Sequence, residues 1–383
     1  MLTAVASIPV LIWLYLLFGR SGFWRVSQHF APAEKTTFLD STVVAVIPAR
    51  NEAAAIEQTV SSLAQQECPN LLRIIVVDDH SNDGTADLAR KAASAPNAIS
   101  QLTVIQARPL PSGWTGKMWA VAQGVAEAEK LNPDFLLLTD ADIAHAPDNL
   151  SGLLRIAQSG SYDLVSYMVK LNCETAAEKL LIPAFVFFFF LLYPPAAIRE
   201  PQSKVAGAAG GCMLVRTATL QIAGGIAQIR SEVIDDCALA KSIKASAGRV
   251  WLGLTPSTRS LRKYATFAEI EKMIARTAFN QLRHSWLLLA GTCVSLTLTY
   301  LLPLALIFCG RLIPTILGGV TWLLISIAYL PMIRFYRRNV LWSISLPFAA
   351  LFYMAATVHS AFQYATGRGG QWKGRAQDVG AAR

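Results

Sequence analysis

Apolar positions in this chain fall into two patterns. Between residues 40 and 285, short β-branched runs alternate with amphipathic stretches. At both ends, long apolar runs carry almost no charge. Residues 43–47 (VVAVI) and 73–77 (RIIVV) read as buried strands, each followed by a helical pattern, through about 66 and over about 83–95. Residues 103–106 and 135–139 (FLLLT) predict a third and a fourth strand. Strands alternating with helices predict βαβ units and an α/β, mostly parallel sheet flanked by helices. Ligands bind such sheets outside the carboxyl ends of the strands. The polar residues sit there: Arg50-Asn51-Glu52, Asp78-Asp79 and Asp140-Ala141-Asp142.

The long runs predict a membrane frame. Residues 2–18 end at Gly19-Arg20 without the basic start or nearby small-residue cleavage site of a signal peptide, so 1–20 predict an uncleaved signal anchor. Stretches at about 286–308, 312–333 and 340–362 are each long enough to span a bilayer. A fifth apolar run, 181–198, holds four consecutive phenylalanines but is interrupted by Pro183, Pro194 and Pro195. One crossing there would put 40–175 and 205–285, which supply one set of motifs, on opposite sides. The run therefore predicts an interfacial helix beside the active site, with a buried core helix as the alternative. The expected organisation is an anchor (1–20), a cytoplasmic domain (40–285), transmembrane or re-entrant helices (286–365) and a basic tail (366–383).

Composition sharpens this picture. Charged residues are 15% of the chain and hydrophobic ones 53%, against about 25% charged in soluble domains. The net charge of +9 is uneven: residues 286–383 hold eight Lys/Arg and one acid. Basic excess beside apolar segments fits a cytoplasmic membrane surface, the inner membrane, rather than a nucleic-acid partner. The same rule leaves the third C-terminal stretch in conflict, since its crossing would carry Arg368, Lys373 and Arg375 outside. The six cysteines lack CxxC spacing, which argues against a disulfide framework or zinc site. No GxGxxG follows the first strand, and no GxxxxGK[ST] occurs.

Three acidic clusters carry candidate chemistry. Asp140 and Asp142 at a strand tip suit Mg²⁺ or Mn²⁺ sharing diphosphate oxygens, or else a turn before the 147–159 segment. Asp79 can accept from a uracil N–H or a ribose hydroxyl, while Ser81 or Asp83 caps the next helix. In Glu232-Val233-Ile234-Asp235-Asp236, a carboxylate can act as general base, or the acids simply favour a helix N-terminus. Lys117 suits a phosphate or an ordinary solvated position. Gly207, Gly210 and Gly211 suit close backbone approach or a tight turn.

Taken in order, VVAVIPARNEAAAI, IIVVDDHSNDGTADLA, GKMWAVAQG, LLLTDADI, GGCMLVR and SEVIDDCALA resemble the family 2 inverting glycosyltransferases of the GT-A fold over about residues 40–260. PAFVFFFFLLYPP and the late Gln371-Trp372-Lys373-Gly374-Arg375 resemble the hopene-associated subgroup. The resemblance implies that Pro48, Glu52 and Asp79 line the base and ribose, and that Lys117 and Asp140 hold the nucleotide. It implies Asp142 as the metal ligand, for Mn²⁺ or Mg²⁺, and Asp236 as the catalytic base. Asp235 stands at the usual Glu position, and Gly210-Gly211 lie near the acceptor. The (Q/R)xxRW element of membrane polysaccharide synthases is not intact around Arg276, Arg283 and Trp286. That departure weakens a processive polymer reading and leaves Arg276 and Arg283 as candidate diphosphate contacts.

The expected function is sugar transfer from a nucleotide-diphosphate donor to a lipid acceptor hydroxyl, hopanoid or terpenoid by resemblance. Transfer to polyprenyl phosphate and a catalytically silent membrane scaffold are the competing readings.

Overall fold

The computed structural model describes residues 2–26, 41–92, 101–372 and 375–376. The tail expected over 366–383 and the last turn expected for the 83–95 helix lie partly outside them. The chain divides into two compact units: Met1–Val26, Asn172–Ala197 and Lys263–Gly370 form one, and Ser27–Leu171, Ile198–Arg262 and Gln371–Arg383 the other.

In chain order the helices are α1 (Leu2–Phe18), α2 (Ile56–Ala64), α3 (Thr85–Ala92), α4 (Gly116–Glu129), α5 (Asn149–Ser159), α6 (Ala176–Leu192), α7 (Pro195–Arg199), α8 (Thr217–Ile222), α9 (Asp235–Ala245), α10 (Phe267–Ala275), α11 (Ala278–Gln281), α12 (Trp286–Leu296), α13 (Leu302–Ile307), α14 (Leu312–Phe335) and α15 (Leu346–Ala365). The strands are β1 (Val43–Ala49), β2 (Leu71–Asp78), β3 (Gln101–Gln106), β4 (Phe135–Thr139), β5 (Ile143–Ala144), β6 (Leu164–Lys170), β7 (Cys212–Arg216) and β8 (Val250–Ser260), with a short hairpin β9 (Gln371–Trp372) and β10 (Arg375–Ala376).

The second unit is built on a sheet of order β3-β2-β1-β4-β7-β6-β8-β5. β3, β2, β1 and β4 run parallel, as do β6 and β8, while β7 is antiparallel to β4 and β6, and β5 to β8. This is the mostly parallel α/β frame expected of a GT-A fold. Every residue of β1 and of β4 is buried, which explains their continuous apolar sequence: a parallel strand covered on both faces has no polar side. Full burial of an Ile or Leu such as Ile47, Ile74 or Leu137 stabilises by about 1.5–3 kcal/mol. β3, at the edge, keeps both terminal glutamines exposed. The register aligns Ala49 with Asp78 and Thr139 with Cys212. The carboxyl ends of β1, β2 and β4 and the amino end of β7 therefore share one edge.

The first unit is helical. Among the described residues, four segments are long and apolar enough to cross a membrane: Ala176–Arg199, Trp286–Ile307, Leu312–Phe335 and Val340–Ala365. α1, with 17 residues, reaches about 26 Å at 1.5 Å per residue. Residues 297–301 wind as a π turn between α12 and α13. Pro303 accounts for it: its ring excludes the carbonyl four residues back, and that Thr299 carbonyl instead accepts the Trp13 Nε1–H at 3.0 Å. α6 starts with a capping box of Thr175 and Glu178. The Glu178 carboxylate also accepts the Tyr264 N–H at 2.7 Å. Arg20 donates to the Leu191 carbonyl at the far end of α6. The phenylalanine run divides around the helix, Phe187 meeting Phe23 and Tyr329, Phe188 meeting Tyr300 and Tyr353.

Candidate active site

The loops after β1 and β2 are laced together. The Asn51 N–H donates to Ser81 Oγ at 2.9 Å, the Asn82 N–H to Asn51 Oδ1 at 3.0 Å, and the Glu52 N–H to Thr85 Oγ1 at 2.9 Å. Asp83 accepts from the Ala53 and Thr85 N–H groups at the start of α3. Asn51 and His80 take left-handed backbone, at φ +51° and +54°, as the sharp exits from both strands require. Arg50 donates to the Asp79 backbone carbonyl and pairs with its carboxylate at 3.4 Å. Asp78, the last residue of β2, is only 6% exposed, and its Oδ1 has no hydrogen-bond partner among the described residues. A buried carboxylate oxygen left unpaired is costly and suits a ligand donor.

Beside them, at the tip of β4, Lys117 bridges two carboxylates. Its Nζ lies 2.9 Å from Asp140 Oδ1 and 3.0 Å from Asp235 Oδ2. Lys117 is set by the start of α4, where Thr115 Oγ1 accepts the Met118 N–H. Burial alone would lower the Lys117 ammonium's pKa, but Asp140, Asp235 and Asp236 outweigh it and hold it well above the usual lysine range. Asp236 accepts the Gly210 N–H at 2.9 Å on Oδ2 and the Cys237 N–H at 2.7 Å on Oδ1. Burial, then the Asp235 charge, push its carboxyl up to about 6, against the pull of Lys117 and the two N–H donors. A Cβ on Gly210 would lie 3.4 Å from Asp236 Oδ2, an ordinary contact that places Gly210 directly against the carboxylate. A small cleft opens here, lined by Pro48, Lys117, Asp140, Gly210 and Asp235 together with apolar side chains that include Met213.

Asp142 faces another cation. Arg262, just after β8, places Nε 2.9 Å from Asp142 Oδ2 and Nη2 3.2 Å from Glu52 Oε1. The Asp142 carbonyl accepts the Leu261 N–H at 2.7 Å. Among the described residues no group of three or more His, Cys, Asp or Glu is placed to hold a metal ion. Asp140 and Asp142 are hard oxygen donors, the ligand type a divalent ion takes beside waters and diphosphate oxygens.

Residues 44–221 match the family described as Glycosyl transferase family 2. This glycosyltransferase domain matches just under half of the 383 residues. It contains the β1, β2 and β4 exits, Lys117 and Gly210-Gly211, and it ends before Asp235, Asp236 and Arg262. Among curated proteins, the chain is 29% identical over 127 residues to undecaprenyl-phosphate 4-deoxy-4-formamido-L-arabinose transferase of Serratia proteamaculans, covering 32% of this chain and 35% of that one. It is 31% identical over 140 residues to the probable glycosyltransferase YdaM of Bacillus subtilis (34% and 32%), and 33% over 102 residues to 4,4'-diaponeurosporenoate glycosyltransferase of Staphylococcus aureus (26% and 24%). The chain thus spans about a quarter to a third of these relatives' lengths. Among solved structures, it resembles the mannosyltransferase PcManGT of Pyrobaculum calidifontis in complex with GDP-Man and Mn²⁺, with a TM-score of 0.56 at 17% identity, covering 94% of this chain and 99% of that one. At that identity the likeness establishes the GT-A fold alone.

The fold brings Pro48, Glu52, Asp79, Lys117, Asp140, Asp142, Gly210, Gly211, Asp235 and Asp236 to one edge of one unit. Arg276 and Arg283 belong to the helical unit: Arg276 closes α10, and Arg283 lies in a left-handed turn after α11 at φ +50°. Sequence reasoning missed Arg262, which no motif marks, and weighed Asp79 over Asp78 within the acidic pair. It also missed a polar line behind the site. There Thr258 Oγ1 donates to Asn149 Oδ1, Asn149 Nδ2 to His145 Nδ1, His145 Nε2 to Thr139 Oγ1, and Thr139 Oγ1 to the Gly211 carbonyl. Burial pushes His145 down to about 3, so its ring is neutral and can accept on one nitrogen while donating from the other.

Proposed function

We propose that this protein is a membrane-bound inverting glycosyltransferase that moves a sugar from a nucleoside-diphosphate donor to a hydroxyl of a lipid. The observation that carries this reading is Asp236. It is held by two backbone N–H groups at the same sheet edge as Asp140 and Asp142, with Lys117 bridging Asp140 and its neighbour Asp235. In this reading Asp78 and Asp79 receive donors of the base and ribose, beside Pro48 and Glu52. Lys117 faces the diphosphate along with Asp140. Asp142 and Asp140 would hold a Mn²⁺ or Mg²⁺ ion, which when bound supplies positive charge to the leaving diphosphate. Asp236 takes the acceptor's hydroxyl proton as that oxygen bonds to the anomeric carbon. The bond to the diphosphate breaks on the opposite face, which inverts the configuration. Gly210-Gly211 are proposed to lie on the acceptor side, and Arg276 and Arg283 are further proposed diphosphate contacts.

The apolar helices support an acceptor drawn from the bilayer. The basic excess of residues 286–383 supports placing the sheet unit on the cytoplasmic face of the inner membrane. A hopanoid-type acceptor rests on the resemblance of PAFVFFFFLLYPP and its neighbours. The name of the Serratia relative supports a second acceptor, a polyprenyl phosphate, which is already a nucleophile and needs no strong base.

The test is nucleoside diphosphate release from a panel of UDP- and GDP-sugars by the full chain in detergent, with Mn²⁺ and lipid extract, against Asp142→Ala and Asp236→Asn. Release from one donor, lost in Asp142→Ala, is expected. A general base contributes about 10²–10⁴-fold, so Asp236→Asn should lose at least 10²-fold with a hydroxyl acceptor. Retained turnover of that variant on polyprenyl phosphate would favour the second acceptor. No donor binding by wild type would remove the enzyme reading.

A further inference from the structure

We propose that Arg262 is a resident counter-cation of the divalent-metal site: it neutralises Asp142 and Glu52 in the donor-free protein and gives up Asp142 when a metal–nucleotide enters. The inference rests on the glycosyltransferase reading for the identity of the entering ligand, but not for the competition itself.

Geometry supplies the first argument. Arg262 spans the two carboxylates with separate nitrogens, Nε on Asp142 at 2.9 Å and Nη2 on Glu52 at 3.2 Å. A divalent ion ligated by Asp142 and this guanidinium would seek the same carboxylate. Each of the two acids at the β4 tip has its own cation, Lys117 for Asp140 and Arg262 for Asp142. Each is held between two acids, but they differ in exposure: Lys117 is 19% exposed, whereas the Arg262 side chain is 37% exposed above carboxylates that are each 15% exposed. Of the two cations, the guanidinium is therefore the one that an entering cation meets from the solvent side. Its backbone cannot drift far, because Leu261 N–H is bonded to the Asp142 carbonyl and β8 pairs with β5.

Chemistry supplies the second. A guanidinium does not lose its proton in proteins, so a rise in pH does not clear the site, whereas a competing cation does. Once displaced, its planar fork suits phosphate oxygens. A metal arriving alone must break the Arg262 pairing without recompense. A metal arriving with a nucleoside diphosphate offers Arg262 new acceptors. Metal and nucleotide should therefore bind with positive coupling, and Arg262 should be the source of much of it.

The experiment measures free Mn²⁺ by electron paramagnetic resonance over the full chain in detergent, with and without UDP or GDP. Asp142→Ala serves to subtract unrelated sites. Wild type is expected to bind Mn²⁺ weakly alone and at least tenfold more tightly with the preferred nucleotide. Arg262→Gln is expected to bind Mn²⁺ alone at least fivefold more tightly than wild type, with the nucleotide's effect correspondingly reduced. Arg262→Lys, which keeps the charge but not the fork, should fall between them and covers the case in which the Gln variant does not fold. Unchanged or weaker Mn²⁺ binding in the folded variant, without nucleotide, would overturn the proposal. If wild type binds neither UDP nor GDP, the glycosyltransferase reading fails instead, while the Mn²⁺ comparison still decides the role of Arg262.

Discussion

At the residue scale, the site's charge balance turns on Lys117. It lies within 3.0 Å of Asp140 and Asp235 and pulls against the burial and the Asp235 charge that push Asp236 up to about 6. A base acts as its carboxylate, so kcat/KM should fall as pH drops through about 6 and level off above it, with the apparent value belonging to the cluster. The sign of each contribution gives opposite shifts. Asp235→Asn removes a charge that raises the Asp236 pKa and should move the limb to lower pH. Lys117→Met removes a charge that lowers it and should move the limb to higher pH. A pH profile of kcat/KM checks both, and movement of the two limbs in the same direction would remove this account. Arg262 and Asp78 show how far residue chemistry was legible. Asp78 lay inside a recognisable acidic pair, but only the fold shows that its Oδ1 is buried without a partner among the described residues while Asp79 turns to Arg50.

At the element scale, small residues decide how closely helices approach. A Cβ on Gly318 of α14 would come within 2.7 Å of the Pro303 carbonyl of α13, whereas one on its neighbour Gly319 would meet nothing within 4 Å. Gly318→Ala should therefore destabilise by about 1–3 kcal/mol through overpacking. Gly319→Ala should be neutral or stabilising by up to about 1 kcal/mol, since alanine favours helix. Thermal unfolding in a single detergent compares the pair, and equal effects would sink the close-approach argument. Strands divided in the same way between local and distant causes. β1, β2 and β4 were legible as short apolar runs. β6 and β8 were not, because Ser166, Lys170, Pro256 and Ser257 break their pattern. The ladder tolerates them by jumping in register from Met168–Leu254 to Lys170–Arg259, which loops out Pro256.

At the scale of the whole molecule, four helices among the described residues are long and apolar enough to cross a membrane. The full chain should sediment with membranes and stay there through alkaline carbonate, entering solution only with detergent. Release by carbonate would mean that these helices pack as a soluble core or lie on the surface. Residues 181–198 contribute to this behaviour through α6, which belongs to the same helical unit as the C-terminal helices.

The α/β class, the polar strand ends, the long apolar runs and most of the acids of the candidate site were legible along the chain. These follow from local periodicity and from motifs a few residues long. Only the tertiary structure decided which charges face one another: Lys117 with both Asp140 and Asp235, Gly210 with Asp236, and Arg262 with Asp142 and Glu52. The last pairing joins residues 210 positions apart. No local pattern encodes such a contact, because it is set by the antiparallel β5–β8 register and by the shared edge of the sheet.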